Sequence, residues 1–254
     1  MDRQGNEDLY YTVFGLDGLH SLDVLPEGIK WHASIQSKGA GEGLDFVHLC
    51  CLIRCLSIAP ELNTNKEDLK KALLKYRSND GGFHPEYGAD FGTAYGAFLA
   101  VGAMQDLGFD LHTVRNGVVE SLKMLQTSDG AWGNDRKQRS GATNATAAVM
   151  TTLRQFGILP EAKAAQWLLE NCHPMGGFRA NKLAPIPDLL STATALHALS
   201  GVQAEISEEV RERCLDFIDT LWTNDGSFHG HWHEDELDTE YTFYGLLALG
   251  HLSV

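Results

Sequence analysis

This sequence has few positive charges and no long apolar segment. Only 20 of its 254 residues are Lys or Arg, against 34 Asp and Glu, so its formal net charge is −14. A chain with this balance repels polyanions on average, and we expect no nucleic acid partner. Because no apolar run reaches the roughly 18 uncharged residues of a membrane span, we also expect no transmembrane segment.

Signals for export are missing as well. The first eight residues, Met-Asp-Arg-Gln-Gly-Asn-Glu-Asp, are polar and acidic, without the basic start and apolar stretch of a secretory signal. The five cysteines are an odd count, and Cys50, Cys51 and Cys55 share one apolar segment at spacings that suit helix packing better than a disulfide framework. We therefore predict a cytoplasmic protein with reduced core thiols.

What the sequence does contain is one repeated corner. A glycine-containing turn followed by an aromatic residue occurs four times, at Phe83, Trp132, Phe178 and Phe228. These positions lie 49, 46 and 50 residues apart, which is long enough for two helices with their connections. Glycine supplies left-handed backbone after a helix and Asx side chains bond neighbouring amides, so we expect each aromatic to anchor its corner in the core.

Helical segments flank each corner. The segments before the corners, such as 111–126 and 206–222, alternate charged and apolar residues at helical spacing and predict outer helices with one solvated face. The segments after the corners are apolar nearly all round and predict buried inner helices. These inner segments cover 91–107, 141–156, 189–199 and 239–252.

Two further inner segments, 8–22 and 45–58, precede the first corner. The segment that begins at Asp8 is similar in sequence to the one that begins at Asp238. One marker residue recurs in all six copies, about 46 residues apart on average, at Thr12, His48, Thr93, Thr146, Thr192 and Thr242. Six inner and five outer helices follow. Because an open solenoid would expose the many aromatics of its two terminal inner helices, we predict a closed ring.

The corners resemble those of a known superfamily. The segment from Gln126 to Trp132 matches the Q-x3-G-x-W repeat of squalene-type cyclases, and the Gly-Gly-Phe corners are similar to those of protein prenyltransferase β-subunits. The resemblance covers residues 8–252 and implies an all-α fold, an α/α toroid forming one domain over 1–254. It also implies a central apolar funnel that holds an isoprenoid chain.

The segment from Gly176 to Thr192 carries the resemblance to a binding site. It is similar to the prenyltransferase loop that runs from a Gly-Gly-Phe corner through an Arg-x-Asn-Lys element to a zinc ligand. The resemblance implies that Arg179 and Lys182 hold the diphosphate of a prenyl donor, a task that suits a guanidinium fork and an ammonium. Solvated surface cations are the alternative.

The zinc site of that family is incomplete here. Leu190 stands at the position of its Cys and Tyr241 at the position of its His, which leaves Asp188 as the one family ligand. Zinc needs three protein ligands and an open position for such chemistry, so we predict no zinc cofactor. The repeat position of Asp188 also predicts a helix N-cap.

Two other functions stay open. The residues from Glu236 to Thr239 resemble the acidic motif of class II terpenoid cyclases, in which Asp238 is the general acid. A non-catalytic module that binds a hydrophobic ligand or a protein partner is the other alternative, and the resemblance to heterodimeric prenyltransferases implies a partner subunit.

Histidine positions offer weaker candidates. His229, His231 and His233 precede the last inner segment together with acidic residues, and we expect a polar rim loop there. Cys172 and His173 resemble half of the zinc site of lanthionine cyclases, which share the toroid, but no second cysteine-bearing corner supports a site.

Our first prediction is therefore a toroid that binds an isoprenoid diphosphate. Arg179 and Lys182 hold the anionic head, and Asp188 and Asp238 are the candidate catalytic carboxyls. Aromatic residues within one turn of the marker are expected to line the funnel: Tyr11, Tyr95, Tyr241 and Tyr244.

Overall fold

The computed structural model of the chain describes residues 6–24, 31–62 and 64–253, so most of the acidic N-terminal stretch, residues 1–5, lies outside the description. Eleven α-helices occur in this part of the chain, and its only strand-like elements are isolated bridges. The fold is all-α, as predicted. The helices are α1 Leu9–Ser21, α2 Trp31–Gln36, α3 Phe46–Ile58, α4 Lys66–Leu74, α5 Ala94–Asp106, α6 His112–Lys123, α7 Thr143–Gln155, α8 Ala162–Glu170, α9 Leu189–Gly201, α10 Glu208–Asp219 and α11 Thr239–Leu252.

The helices form two compact units, residues 1–122 and 123–254. In the first unit α3 packs against α1, α5, α4 and α2. In the second unit α9 packs against α7, α11 and α8, and α10 packs against α11. The closure of the ring and the single domain over 1–254 stay predictions. Among the residues described, no helix is both long and apolar enough to cross a membrane.

Burial separates the helices into the two predicted classes. Nine of the 13 residues of α7, an inner helix, are buried, whereas only four of the 12 residues of α6, an outer helix, are buried. Small residues make this possible, because Ala and Thr dominate α7 and let neighbouring helices approach closely. The six inner and five outer helices predicted from the sequence are all present.

The four corners share one hydrogen-bonding pattern. A bridge joins the residue six positions before each corner aromatic to the aromatic itself, as between Arg77 and Phe83. In each corner, the residue after the first bridge partner also donates an amide hydrogen bond across the turn. At the first corner, Ser78 N donates to Gly82 O at 3.0 Å. The aromatic is buried in every copy, at 5% exposure or less. Burying such a ring stabilises the fold by about 1.5–3 kcal/mol.

Each corner also starts the next inner helix. The N-cap amides of α5, α7 and α9 donate to the carbonyl of the preceding corner aromatic, over 2.9 to 3.1 Å. Side chains then complete the caps: Asp8, Asp45, Thr93, Asp188 and Asp238 each accept from an amide in the first turn of their helix. Of the six inner helices, all described by the structure, α7 alone begins without such a side chain, at Ala142.

The caps correct the register of the marker residue. Thr12, Thr192 and Thr242 each lie four residues after a capping Asp, and their hydroxyls donate to its carbonyl oxygen. Thr93, in contrast, is itself the cap of α5, and His48 lies three residues after the cap Asp45. The marker position was therefore wrong in these two copies. At α5 a Thr hydroxyl replaces the Asp carboxylate of the other caps, so an alignment on Thr matches the cap of this copy to a later position in the others.

Substitution of Gly176 tests how closely the third corner packs against its outer helix, α10. Its φ is +88°, and a Cβ there would lie 1.8 Å from the carbonyl oxygen of Arg213 on α10. We expect Gly176→Ala to lower the free energy of unfolding by more than about 3 kcal/mol, because left-handed strain and a backbone clash add. Gly157→Ala is the matched control, since its φ is +70° but its added Cβ meets no atom within 4 Å.

For Gly157→Ala only the strain of the left-handed backbone remains, and we expect it to lower the free energy of unfolding by about 1–2 kcal/mol. Urea unfolding of both variants measures the difference. Equal destabilisation of the two variants would contradict the close approach of the corner to α10.

Candidate functional site

An acid holds each of the first two corners by hydrogen bonds, and it is half-buried in the first corner and exposed in the second. Asp80 accepts from Ser78 Oγ, Gly82 N, Gly92 N and Ser121 Oγ at 2.7 to 3.2 Å. Burial alone would raise the pKa of Asp80, but these hydrogen bonds outweigh it and hold the pKa below its ordinary value. The carboxylate is therefore part of the scaffold of the corner.

Asp129 has the same role in the second corner. It accepts from Gly141 N at 3.2 Å and from Trp167 Nε1 on α8 at 3.0 Å. As for the first corner, hydrogen bonds overcome the effect of burial and lower the pKa of Asp129. Both acids bond the amide of the residue just before an inner-helix cap, Gly92 or Gly141.

The third corner has lost this acid. Met175 stands at the position of Asp80 and Asp129, with 67% of its surface exposed. Pro187 stands where Gly92 and Gly141 donate their amides, and proline has no amide to give. An acid at position 175 would thus lack one of its usual partners. Of the four corners, this is the one in which the predicted cations Arg179 and Lys182 follow the aromatic.

The structure brings Arg179 and Lys182 to the same place, the C-terminal end of α8. Arg179 donates from its guanidinium to the carbonyls of Asn171 and Glu170, at 3.4 and 3.5 Å. Lys182 Nζ lies 3.4 Å from the Glu170 carboxylate and 5.7 Å from the centre of the Trp167 ring. Cations are favourable at this end of a helix because its free carbonyls are partly negative.

The backbone that carries Arg179 is firmly anchored. Its amide donates to Asn171 O at 3.2 Å, and its carbonyl accepts from the Thr143 hydroxyl at the start of α7. The next carbonyl, that of Ala180, accepts from Thr143 N at 2.9 Å. The cations therefore project from a loop whose base is tied to both α7 and α8.

Asp188 caps α9, as its repeat position predicted. Its carboxylate accepts from Ser191 N at 2.7 Å, and its carbonyl accepts from the Thr192 hydroxyl at 2.7 Å. Burial is the largest influence on this group and raises the pKa of Asp188, while the Ser191 amide and the nearby His231 oppose that rise. A carboxyl that favours its protonated form is suited to donating a proton.

Asp238 caps α11 in the same way. Its carboxylate accepts from Tyr241 N at 2.8 Å, and its carbonyl accepts from the Thr242 hydroxyl at 2.9 Å. The capping contacts repeat those of Asp8 with Tyr11 and Thr12 on α1. The alignment of the first and last inner helices is confirmed.

The four predicted tyrosines are all on inner helices. Tyr11 lies on α1 and Tyr95, 39% exposed, on α5 of the first unit. In the second unit Tyr241 and Tyr244 lie on α11 and are half-buried. Tyr241 packs against Gly230, where an added Cβ would lie 2.3 Å from its ring. The lining of one funnel by all four stays a prediction.

The residues at the family zinc positions do not fit a zinc ion. Leu190 has no donor atom, and the ring of Tyr241 packs against Gly230. Asp188 is occupied with the α9 amides. Over residues 6–24, 31–62 and 64–253, no three His, Cys, Asp or Glu side chains are grouped so as to hold a metal ion. We derive no chemical step through zinc.

The histidine-rich loop is held by its own contacts. His231 Nδ1 accepts from His233 N at 3.1 Å, and Trp232 Nε1 donates to Thr220 Oγ1 at 2.9 Å. Leu189 N donates to Gly230 O at 2.8 Å, which ties this loop to the start of α9. The loop thus lies beside Asp188.

Two features were missed by the sequence analysis. His197 Nδ1 lies 3.0 Å from His251 Nε2, between α9 and α11. Burial, then the neighbouring His251 and Arg154, lower the pKa of His197 to about 4, so the pair is neutral at physiological pH. Single histidines in apolar helices give no signal in one sequence, because their pairing depends on helix packing.

The second missed feature is a basic loop in the second corner. Arg136, Gln138 and Arg139 line a cleft of about 200 Å³ together with one acid, Asp135. A cluster of Arg and Lys stands out in a chain of net charge −14, so the sequence alone could have indicated this loop. The loop is a second candidate for binding an anion.

Asp188→Asn tests the buried cap. Because the folded pKa lies above the unfolded value of 3.8, the protonated acid stabilises the fold below that value, and this stabilisation is lost as pH rises through the folded pKa. Asn caps as well as Asp but does not ionise. We expect the unfolding free energy of the variant, relative to the parent, to improve from pH 3 to pH 7 in urea titrations; a constant difference would contradict the assignment.

Comparison with known proteins agrees with this geometry. The profile of the prenyltransferase alpha-alpha toroid domain matches residues 46–157 and 145–253. No curated protein matches the sequence.

Solved structures share the fold at low sequence identity. Candida albicans protein geranylgeranyltransferase-I complexed with GGPP superposes with a TM-score of 0.74 and 13% identity, over 96% of this chain and 83% of that one. The type II terpene cyclase MstE from Scytonema gives a TM-score of 0.65 and 14% identity, over 99% and 89%. A polysaccharide lyase gives 0.66 and 13%, over 96% and 89%.

Because the family profile covers most of the chain and the helices repeat as the profile requires, this chain belongs to the prenyltransferase α/α toroid domain family.

Proposed function

We propose that this protein binds an isoprenoid diphosphate, with the diphosphate at Arg179 and Lys182. The observation that carries the proposal is the altered third corner. Where the first two corners use an acid to hold their backbone, this corner has Met175, and it directs two cations to one helix end. Removing an acid and adding cations at the same corner makes the local potential favourable to an anion.

The two cations suit a diphosphate. The guanidinium of Arg179 offers several N–H donors in a plane, and the ammonium of Lys182 is a compact point charge. Their present partners are two carbonyls and the exposed Glu170 carboxylate, at 3.4 to 3.5 Å. Long contacts of this kind are weak at a surface, so a diphosphate with two to three charges competes well against them.

We propose that the apolar tail lies along Tyr241 and Tyr244 of α11, within the second unit. The loop from Arg179 ends at Asp188, and the following residue, Leu189, bonds Gly230, which packs on the ring of Tyr241. Tyr244 lies one turn further along α11. The tyrosine face of α11 therefore begins beside the loop that carries the cations.

The structural neighbours support isoprenoid ligands without deciding the reaction. Geranylgeranyltransferase-I was solved with GGPP and the MstE cyclase acts on terpenes, as their names state, but a polysaccharide lyase shares the fold as well. Fold alone does not settle function. The proposal therefore rests on Arg179 and Lys182, and it describes binding of the diphosphate rather than zinc-dependent transfer to a thiol.

A class II cyclase is the second candidate, and one observation favours it. Burial raises the pKa of Asp188, which is the change that turns a carboxyl into a general acid. Asp238, the acid expected from the sequence, caps α11 at the equivalent position. Conversion of geranylgeranyl diphosphate to a cyclic product by the parent, with loss in Asp188→Asn or Asp238→Asn, identifies this reaction and its acid.

Calorimetric titration with geranylgeranyl diphosphate tests the binding proposal. We expect the parent to bind, and Arg179→Ala with Lys182→Ala to weaken binding about tenfold or more, because two charge-assisted contacts are lost. Glu170→Gln should tighten binding, since it removes the carboxylate that competes for Lys182.

Two control variants carry the same change in net charge. Lys71→Ala with Lys75→Ala removes two exposed cations from α4 and should leave affinity unchanged. Lys137→Ala with Arg139→Ala probes the basic loop of the second corner. Loss of binding in that variant, but not in the Arg179 and Lys182 variant, would place the anion elsewhere, and no binding by the parent would reject the proposal.

A further inference from the structure

The C-terminal ends of three inner helices in the second unit carry one arginine and two histidines. Arg154 lies in the last turn of α7, His251 lies in the last turn of α11, and His197 lies one turn before the end of α9. Helix α9 packs against both α7 and α11. All three residues are half-buried, so each keeps some contact with solvent. We call this group the Arg154 cluster.

Gly201 makes room for the arginine on α9. A Cβ at this position would overlap Arg154 NH1, so the guanidinium occupies the space that a side chain here would need. Gly201 lies four residues after His197, and residues at that spacing share one face of a helix. The cation of α7 therefore lies against α9, one turn beyond His197.

His197 links the arginine to α11. Its Nδ1 atom lies 3.0 Å from His251 Nε2, and the centres of the two rings are 5.1 Å apart. One of these nitrogens donates and the other accepts, so the accepting ring of a neutral pair carries its own proton on its other nitrogen. Among the described residues, neither His197 Nε2 nor His251 Nδ1 has a hydrogen-bond partner. The pair therefore leaves one imidazole N–H open to a ligand.

The first unit has a counterpart of this cluster that contains its own acids. Arg54 on α3 pairs with Asp17 of α1 at 3.0 Å and with Asp106 of α5 at 2.9 Å. Arg54 and His197 each lie nine residues after the cap of their helix. Asp106 and His251 each lie 13 residues after theirs. The first unit thus balances its arginine with acids at a level where the second unit has histidines.

The Arg154 cluster has no acid of its own. In the part of the chain that the structure describes, the guanidinium of Arg154 makes no hydrogen bond or ion pair. Burial, then His251 and Arg154, lower the pKa of His197 to about 4, and burial, then Arg154, lower the pKa of His251. A half-buried positive charge without a counter-ion is unfavourable, and a bound anion relieves this.

The helices that pack behind the cluster keep their acids in other contacts. On α8, Glu170 pairs with Lys182 at 3.4 Å. On α10, Glu208 lies 4.0 Å from Arg211, whose NH1 atom donates to Leu252 O at 2.7 Å. Arg211 is therefore the charged side chain that α10 directs to the end of α11.

We propose that Arg154, His197 and His251 form a binding site for a small oxyanion, either a carboxylate or a phosphate. The guanidinium presents several N–H donors in one plane, which matches two oxygens of either group, and the open imidazole N–H supplies another donor. The bound anion provides the negative charge that Asp17 and Asp106 provide in the first unit.

This site does not depend on the function proposed above. Arg179 and Lys182 precede the start of α9, whereas the Arg154 cluster lies at its end. A helix of this length spans about 20 Å. Binding at one end can therefore fail while binding at the other end is retained.

Anion binding is coupled to protonation of the histidines. A negative charge beside an imidazole raises its pKa, which opposes the lowering that burial and Arg154 cause. The bound state holds more protons than the free state, so affinity for a carboxylate rises as the pH falls from about 8 to about 6.

Imidazole NMR of the full chain, labelled with 15N-histidine, locates the anion. Inorganic phosphate and benzoate are titrated separately, and His197→Gln and His251→Gln assign the two signals. We expect at least one anion to shift both signals toward the protonated form, and benzoate to bind more tightly at about pH 6 than at about pH 8. The anion with the higher affinity identifies the ligand class. Anions bound at the second or third corner do not move these signals.

Two substitutions test the arginine without removing a histidine. Arg154→Gln should weaken anion binding about tenfold or more, because a charge-assisted contact is lost. Gly201→Ala should weaken it as well, since its Cβ displaces the guanidinium while every charged group stays in the chain. Gly102→Ala on α5 is the matched control, because its added Cβ meets no atom within 4 Å and affinity should equal that of the parent.

Urea unfolding separates a binding role of Arg154 from a purely structural one. In buffer without oxyanions, Arg154→Gln should be at least as stable as the parent, and the anion that binds should stabilise the parent alone. Four results would each overturn the proposal: a less stable Arg154→Gln without anion, equal affinity in the parent and Arg154→Gln, binding that moves neither histidine signal, or no binding of either anion by the parent.

Discussion

The fold depends on one contact, the hydrogen bond from the N-cap amide of an inner helix to the carbonyl of the preceding corner aromatic. Thr93, Ala142 and Asp188 all make it, to Phe83, Trp132 and Phe178. The bond couples two events, because the aromatic that fills the core also sets where the next helix begins. A corner that loses its aromatic therefore loses the start of a helix as well as apolar contact.

Acids that recur at the starts of inner helices say little about chemistry, because capping alone accounts for them. Asp8, Asp45, Asp188 and Asp238 each accept from the first turn of an inner helix. A carboxylate there is stabilised by free amides and the helix dipole. What distinguishes Asp188 is its surroundings, since burial raises its pKa.

Most of the fold was readable from the sequence. The 46 to 50 residue spacing of the corners, and the contrast between apolar and amphipathic segments, gave the helices and their two classes. The caps at Asp188 and Asp238 followed from the repeat. The register at Thr93 did not, because a Thr hydroxyl caps α5 in place of an Asp carboxylate. The register at His48 did not either, because its cap, Asp45, lies three residues before it rather than four.

The site was less readable, for a physical reason. Arg179 and Lys182 could be identified as candidate binding residues from the sequence. Their common contact with Glu170 could not, because it depends on where α8 ends. The contact of His197 with His251 joins residues 54 positions apart. Such pairs arise from helix packing, and one sequence carries no local pattern for them.

The third corner is where the chain departs from its own repeat. Met175 replaces the acid, and Pro187 removes an amide that the acid would bond. Two departures coincide at this corner and two cations follow it, which is why we propose that it holds an anion. The other corners keep an acid at this position, as Asp80, Asp129 and Asp225.

Restoring the acid measures that claim most directly. In Met175→Asp the added carboxylate lies at an exposed position without its usual Gly92-like amide, so we predict an unfolding free energy within about 0.5 kcal/mol of the parent. Its affinity for geranylgeranyl diphosphate should fall several-fold, whereas Met175→Leu should bind as the parent does. Unchanged affinity in a stably folded Met175→Asp would contradict the assignment of the third corner as the diphosphate site.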